Sequence, residues 1–388
     1  MTNLADGIAG ILGDLEAWRH ELHAHPETAF EEHRTSAFVA EKLASFGIEV
    51  QRGLAGTGVV GVLRNGDGPM IGLRADMDAL PIEEAGTAPY RSQHAGRMHA
   101  CGHDGHTTML LGAARLLARS RDFRGTIVFI FQPAEENEGG ARVMVEQGLF
   151  HRYPMQSVFG LHNWPGLPVG RMAICAGPLM AAFDTFELTV HGKGSHGGMP
   201  HLGIDPIVVA TEIVGAWQTI ASRNVDPLDA SVVSVTQIHA GDTWNVIPAS
   251  AVLRGTARSF RDETQALIER RMRDIAEHYC AAYGVRGELH YQRRYPATVN
   301  TPEEARAARE AAAAVIGADN IDAQPTPSMG AEDFAFMLRE KPGCYVWLGN
   351  GPADNGRNLH SPHYDFNDDA LPIGVSYWVS LARTLLPG

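Results

Sequence analysis

Thr126-Ile127-Val128-Phe129-Ile130-Phe131 is a run of β-branched and aromatic residues with no polar partner alternating through it, and Gln132-Pro133-Ala134-Glu135-Glu136 follows at once. A run this short and this apolar is a strand buried on both faces, as in a parallel sheet with covered faces. Similar runs lie at 58–63 (GVVGVL), 70–73 (MIGL) and 157–161 (SVFGL). Helical patterns occupy 106–119 and 138–147, between the later runs. Buried strands alternating with helices predict an α/β domain with a mixed, largely parallel core.

Upstream, Leu4, Ile8, Ile11, Leu12, Leu15, Trp18 and Leu22 recur at helical spacing, and His25-Pro26 ends that helix. Thr28 and Glu31 form a capping-box pattern, which predicts a second helix running through Leu43 to Gly47. The pattern changes near 183. Phe183 to Val190, Ala230 to Ile238 and Ala251 to Phe260 alternate as half-exposed strands do, with helical stretches at 204–223 and 263–282. Thr301-Pro302-Glu303-Glu304 then starts a new helix, and a strand at 344–348 and a helix near 370–386 resume the first pattern. The expected organisation is a catalytic domain in two parts, 1–182 and 297–388, carrying an inserted α+β sandwich at 183–296.

Two domains also follow from size, because one core stops growing at about 250–300 residues and the chain has 388. With 32 basic and 45 acidic residues the formal net charge is −13, which argues against a nucleic-acid partner. Cys101, Cys175, Cys280 and Cys344 form no disulfide framework. No apolar stretch approaches the roughly 20 residues of a membrane span, and the N-terminus carries no signal-peptide pattern. A cytoplasmic enzyme is expected.

The chemistry concentrates in Met98-His99-Ala100-Cys101-Gly102-His103-Asp104-Gly105-His106. Cys, His and carboxylate are the side chains that hold zinc and related ions. Glu135-Glu136 sits at the carboxyl end of a buried strand, where open α/β sheets bind ligands. Adjacent glutamates point different ways, so one can ligate while the other faces substrate water. His162 ends another apolar strand, and His360 lies in a Gly- and Asn-rich loop. Taken singly, each of these is as readily an ordinary structural residue. Taken together, Cys101, His103, Glu136, His162 and His360 are too many donors for one tetrahedral zinc and suit two ions about 3.5–4 Å apart. In the inserted segment, Val190 to Pro200 is rich in glycine and histidine, while Asn245 and Arg258 offer polar groups.

In order along the chain, these motifs resemble the amidohydrolase family of hippurate hydrolases, plant auxin–amino acid conjugate hydrolases and N-acetyl-diaminopimelate deacetylases, within the aminoacylase and carboxypeptidase clan. The resemblance is carried by Arg19 to Glu27, Leu73 to Pro81, Cys101 to His106, Gln132 to Glu136, Leu161 to Asn163, Gly192 to Pro200, Asn245 to Pro248, Gly330 to Phe334 and Leu359 to Pro362. It implies that Cys101, His103, Glu136, His162 and His360 bind two divalent ions, zinc or manganese, with cobalt or nickel as further options. It implies that Glu135 is the general base and that the insertion is a lid that also dimerises. It implies that His196 reaches the partner subunit's active site to stabilise an oxyanion, and that Asn245 and Arg258 hold a substrate carboxylate. Distant clan members carry a ligating histidine where this chain has Arg74, so Asp76 is expected behind the ligands, orienting one of them. The implied reaction is hydrolysis of N-acyl or N-aroyl amino acids to a carboxylic acid and a free amino acid. The alternatives are a metallo-exopeptidase or dipeptidase, an N-acetyl-diaminopimelate deacetylase, and a catalytically silent metal- or ligand-binding protein.

Overall fold

A computed structural model describes residues 4–136 and 138–388. The chain divides into two compact units. One comprises the residues up to Leu179, Val299–Thr326 and Asp333–Gly388, the other Met180–Thr298 and Pro327–Glu332.

The larger unit is built on an eight-stranded sheet, in the order Glu49–Leu54, Gly58–Asn65, Gly125–Gln132, Met70–Asp76, Ser157–Trp164, Gly343–Gly349, Met172–Ala173, Ile321–Asp322. The third to sixth of these run parallel, and antiparallel pairings join them to the flanking strands. Every residue of Gly125–Gln132 and of Gly343–Gly349 is buried, which is why these segments carry continuous apolar runs. Leu73 lies opposite Phe129 on one side and Phe159 on the other, all fully buried. Truncating such a phenylalanine to alanine costs about 3–5 kcal/mol.

Helix His103–Ser120 crosses the sheet and packs on helices Leu12–Ala24 and Leu371–Leu385. The parallel register sets Asp76 beside Gln132 and His162 beside Trp347. The motif residues therefore emerge together at the carboxyl ends of the central strands.

Three local expectations differ. The first helix is two, Leu4–Ala9 and Leu12–Ala24, because the chain turns at Gly10-Ile11. The second begins at His33 rather than at Thr28. Phe30 sits at φ +62°, a left-handed conformation no helix can pass through, and Thr28 bridges Ala79 instead. The strands Glu49–Leu54 and Arg286–Tyr295 went unread because long polar side chains dominate both.

In the smaller unit four antiparallel strands lie in the order Ser231–His239, Ser250–Ser259, Ala182–His191, Arg286–Tyr295. Ala182–His191 alternates buried and half-buried residues along its whole length. Its buried set, Phe186, Leu188 and Val190, packs with Ile213 and Trp217 of helix Pro206–Thr219 and with Ile268 and Met272 of helix Asp262–Ala282. Asp205 caps the first of these helices, accepting the Ile207 amide at 2.8 Å ahead of a proline at the first position. Among the described residues no helix is long and apolar enough to cross a membrane.

Candidate metal centre and active site

Helix His103–Ser120 opens at Gly102, whose φ of +91° only glycine adopts freely. A Cβ there would run into Asn163 Nδ2 and the Tyr364 hydroxyl. This tight start presents Cys101 and His103 side by side toward the strand ends. His162 comes from Ser157–Trp164 and Glu136 from the turn after Gln132. The loop residue His360 is held at φ +63° while its amide donates to Ala100 O at 2.8 Å.

These residues gather into overlapping trios: Cys101, His103 and His162; Cys101, Glu136 and His360; His103, Glu135 and Glu136. Within each trio the potential ligand atoms lie within 4.8 Å of one another. Cys101 Sγ is 3.3 Å from His162 Nε2, and Glu136 Oε1 is 3.1 Å from His360 Nε2.

The hydrogen bonds behind them fix which ring nitrogen faces inward. His103 Nδ1 donates to Asp78 O at 2.8 Å, leaving the buried Nε2 with no hydrogen-bond partner among the described residues. His162 Nδ1 donates to Asn163 O at 2.6 Å, so its Nε2 lone pair faces Cys101. A buried polar nitrogen left without a partner costs about 1–3 kcal/mol, and a cation taking the place of a proton at His103 Nε2 removes that cost. The donors present therefore fit a metal centre. His106 also lies within 4.8 Å of Asp76 and His103, but both of its ring nitrogens are engaged. Its Nδ1 is 2.6 Å from Asp76 Oδ1, and its Nε2 accepts the Asn163 amide at 2.9 Å.

The electrostatics agree with that fit. Burial opposes charge on His103, yet the Asp76 and Asp78 carboxylates outweigh it and push its pKa up to about 10. A site that attracts a proton so strongly attracts a divalent cation by the same field. Burial, with the Glu136 and Glu135 carboxylates, pushes the Cys101 thiol well above its ordinary range. Burial and the neighbouring His106 hold His162 well below the usual imidazole value. The Glu136 contact raises His360.

Asp76 is fully buried, with Oδ2 2.7 Å from Arg74 Nη1 and 3.8 Å from His103 Nε2. Burial alone would raise its pKa, but His103, His106 and Arg74 hold it well below the carboxylate range. Three supports were not read from sequence. Asp78 orients His103 and accepts the Glu136 amide at 2.9 Å. Asp333 accepts from Gln132 Nε2 at 2.7 Å and from Arg74 Nη2 at 3.1 Å, while its own amide donates to Glu135 Oε1 at 3.3 Å. Glu32 accepts the Ala134 amide. Only the Asp-x-Asp spacing of 76 and 78, which places both on one side of an extended segment, hinted at the first.

The remaining candidates lie in the smaller unit. His196 and Ser195 form a short ribbon with Val246-Ile247, and the Gly197 amide donates to Asn245 O at 2.7 Å, so His196 and Asn245 are neighbours. The Gly198 amide donates to His196 Nδ1 at 3.0 Å. The neutral ring must then carry its proton on Nε2, an outward-facing donor. Arg258 is not with them. It pairs with Phe183 and lays its guanidinium over that ring at 4.2 Å. At about 3.3 Å per residue it stands roughly 26 Å along the strand from Ser250, the end nearest the His196 ribbon.

Residues 72–384 match the model for peptidase family M20/M25/M40. A hippurate hydrolase of Campylobacter jejuni is 40% identical across 99% of this chain and 100% of its own. An N-acetylcysteine deacetylase of Bacillus subtilis is 40% identical across 95% of this chain and 96% of its own. A solved Bacillus subtilis structure, described as a dinuclear metal-binding peptidase of the M20 family, superposes with a TM-score of 0.84 at 37% identity, covering 97% and 99% of the two chains. The chain belongs to peptidase family M20/M25/M40 and is an amide-bond hydrolase of that family.

Proposed function

We propose that this enzyme hydrolyses the amide bond of N-acyl and N-aroyl amino acids with two divalent ions held by Cys101, His103, Glu136, His162 and His360. The observation that carries the reading is the convergence of these five donors from separate elements, with Glu135 beside them. Bound there, the ions would lower the pKa of a water and polarise the scissile carbonyl. Zinc suits the thiolate and imidazoles by softness, while manganese, cobalt and nickel remain alternatives.

Glu135 takes the proton of the attacking water and delivers it to the leaving amine, oriented by the Asp333 amide. Asp78 keeps His103 in the tautomer that offers Nε2 inward. Asp76 fixes His106, which in turn holds Asn163 beneath the Cys101 carbonyl. The Nε2 proton of His196 is offered to the tetrahedral oxyanion, a donor whose loss costs about 10²–10³-fold in rate.

The smaller unit is proposed as the lid and the dimerisation module of a homodimer. Arg258 lies near one end of the four-stranded sheet, and the His196–Asn245 ribbon forms a separate two-stranded sheet beyond the other end. In this reading Asn245 and Arg258 hold the substrate carboxylate, and the partner's His196 completes the site. We place the enzyme in the cytoplasm, in keeping with four buried free cysteines.

The test is a hydrolysis screen of acetyl-, benzoyl- and indoleacetyl-amino acids with zinc, manganese, cobalt or nickel added singly. Turnover of these blocked substrates above that of unblocked dipeptides is expected. The reverse order makes the protein an exopeptidase, and no turnover of either refutes the proposed substrate class.

A further inference from the structure

Glu32 is a carboxylate without solvent: it is 0% exposed, in the loop that precedes helix His33–Ser45. Burying a carboxyl is costly unless its oxygens are satisfied, and three donors converge on this one. Oε1 accepts the amides of Phe30 at 3.0 Å and Ala134 at 2.9 Å, while Oε2 takes the Thr57 hydroxyl at 2.5 Å. None of the three is a candidate ligand. One of them, however, is the residue immediately before Glu135.

Ala134 stands at φ +55°, a left-handed conformation in which a Cβ is unfavourable and glycine is the natural occupant. Such backbone persists only where surrounding contacts over-determine it. Here the Ala134 amide is held by Glu32, and the Ala134 carbonyl accepts the Gly140 amide at 2.9 Å. The close approach at the far side of the turn leaves no room for a side chain at Gly140, where a Cβ would strike Pro133 O. The consequence lies one and two residues on. The turn aims Glu135 at the Asp333 amide and brings the Glu136 amide to Asp78 Oδ2.

We infer that Glu32 is a positioning residue for the catalytic turn, its buried carboxylate holding Ala134 in the left-handed conformation that aims Glu135 and Glu136. The inference rests on the roles proposed above for those two glutamates.

The experiment is a substitution series read as kcat per metal-loaded site. Glu32→Ala removes the acceptor, and Glu32→Asp withdraws it by one methylene with less disruption of the core. Both should lose about 10–100-fold in kcat, the usual effect of misplacing a reacting group by an ångström, with KM within about twofold of wild type. Glu32→Gln keeps an amide oxygen for the Ala134 amide and turns its Nε2 to Thr57, so kcat should stay within about threefold.

The deciding variant is Ala134→Gly in the Glu32→Asp and Glu32→Ala backgrounds. Glycine enters the left-handed conformation without the Cβ penalty that Ala134 pays, so part of the lost kcat should return. A role in stability alone would lower the melting temperature without a kcat loss that glycine restores. The inference is overturned if Glu32→Asp and Glu32→Ala keep wild-type kcat, or if Ala134→Gly recovers none of the loss. Glu135→Gln belongs in the same assay. If it remains active, the proposed role of Glu135 fails, whatever the Glu32 series shows.

Discussion

The carbonyl oxygen of Asp78 takes the Nδ1 proton of His103 at 2.8 Å, so this one contact decides which nitrogen of His103 is offered to a metal. The Asp78 carboxylate adds a second tie at 3.2 Å and receives the Glu136 amide through its other oxygen. Residues that orient ligands in this way typically carry 10–100-fold of metal affinity. The backbone carbonyl survives substitution, so Asp78→Ala should lower metal affinity by up to that factor through loss of the ties to His103 and the Glu136 amide, and Asp78→Asn by less, because it keeps one side-chain oxygen. Titration of the metal-free protein with zinc, followed calorimetrically, checks it. Equal affinity in all three proteins removes Asp78 from the support of the centre.

Glu135 and Glu136 are adjacent yet differently placed, the first 6% exposed and tied to the Asp333 amide, the second against His360. Glu135→Gln should abolish turnover while two metal ions stay bound. Glu136→Gln should lower metal content as well. Metal analysis beside rate measurement separates the two, and a reversal of these outcomes reverses the roles.

Cys101 should behave as a ligand and not as a nucleophile. Burial and two carboxylates keep its thiol protonated in the absence of a cation, so metal binding must expel a proton and weaken as pH falls. After chelation, alkylation of Cys101 should appear only as pH is raised far enough to form the thiolate, and added metal should suppress it. Trapping of an acyl group on Cys101 would refute a hydrolytic water.

Glu32 gives a stability signature of known sign. Burial, aided by the Asp78 carboxylate, pushes its pKa from 4.5 up to about 7. The folded state then holds a proton that the unfolded chain has released. Its stabilisation is full below pH 4.5 and is lost as pH rises to about 7. Glu32→Gln imitates the neutral form, so its melting temperature should gain on wild type across that interval and level off above it. A constant difference across the interval would mean that Glu32 does not titrate there.

His196→Ala and Glu135→Gln should each be inactive with metals intact. If the partner's His196 completes each site, mixing the two under subunit exchange restores at most about one quarter of wild-type activity, since half of a symmetric pair's random reassortments are mixed and each holds one intact site. Demonstrated exchange without recovery would confine His196 to its own chain.

How much of this was legible in the sequence depends on the range of the interaction. Gly125–Gln132 and Ser157–Trp164 were readable as buried strands, and Pro206–Thr219 and Asp262–Ala282 as helices, because side-chain periodicity is a local property. The capping-box reading at Thr28 failed for a non-local reason. Glu32 turns into the core to meet Thr57 and Ala134, and the chain follows it through Phe30 at φ +62°.

By itself the sequence determined most element types and the donor inventory, since both follow from residue chemistry and spacing along the chain. Only the tertiary structure decided which donors meet, and which groups hold them. Asp78, Asp333 and Glu32 reach Glu136, Glu135 and Ala134 across long stretches of chain. Such contacts arise from the register of the parallel strands and the closing of distant loops, and neither leaves a period in the sequence. The separation of Arg258 from His196 has the same origin. Asn245 and Arg258, only 13 residues apart in the chain, are carried far from each other because the strand Ser250–Ser259 between them is extended.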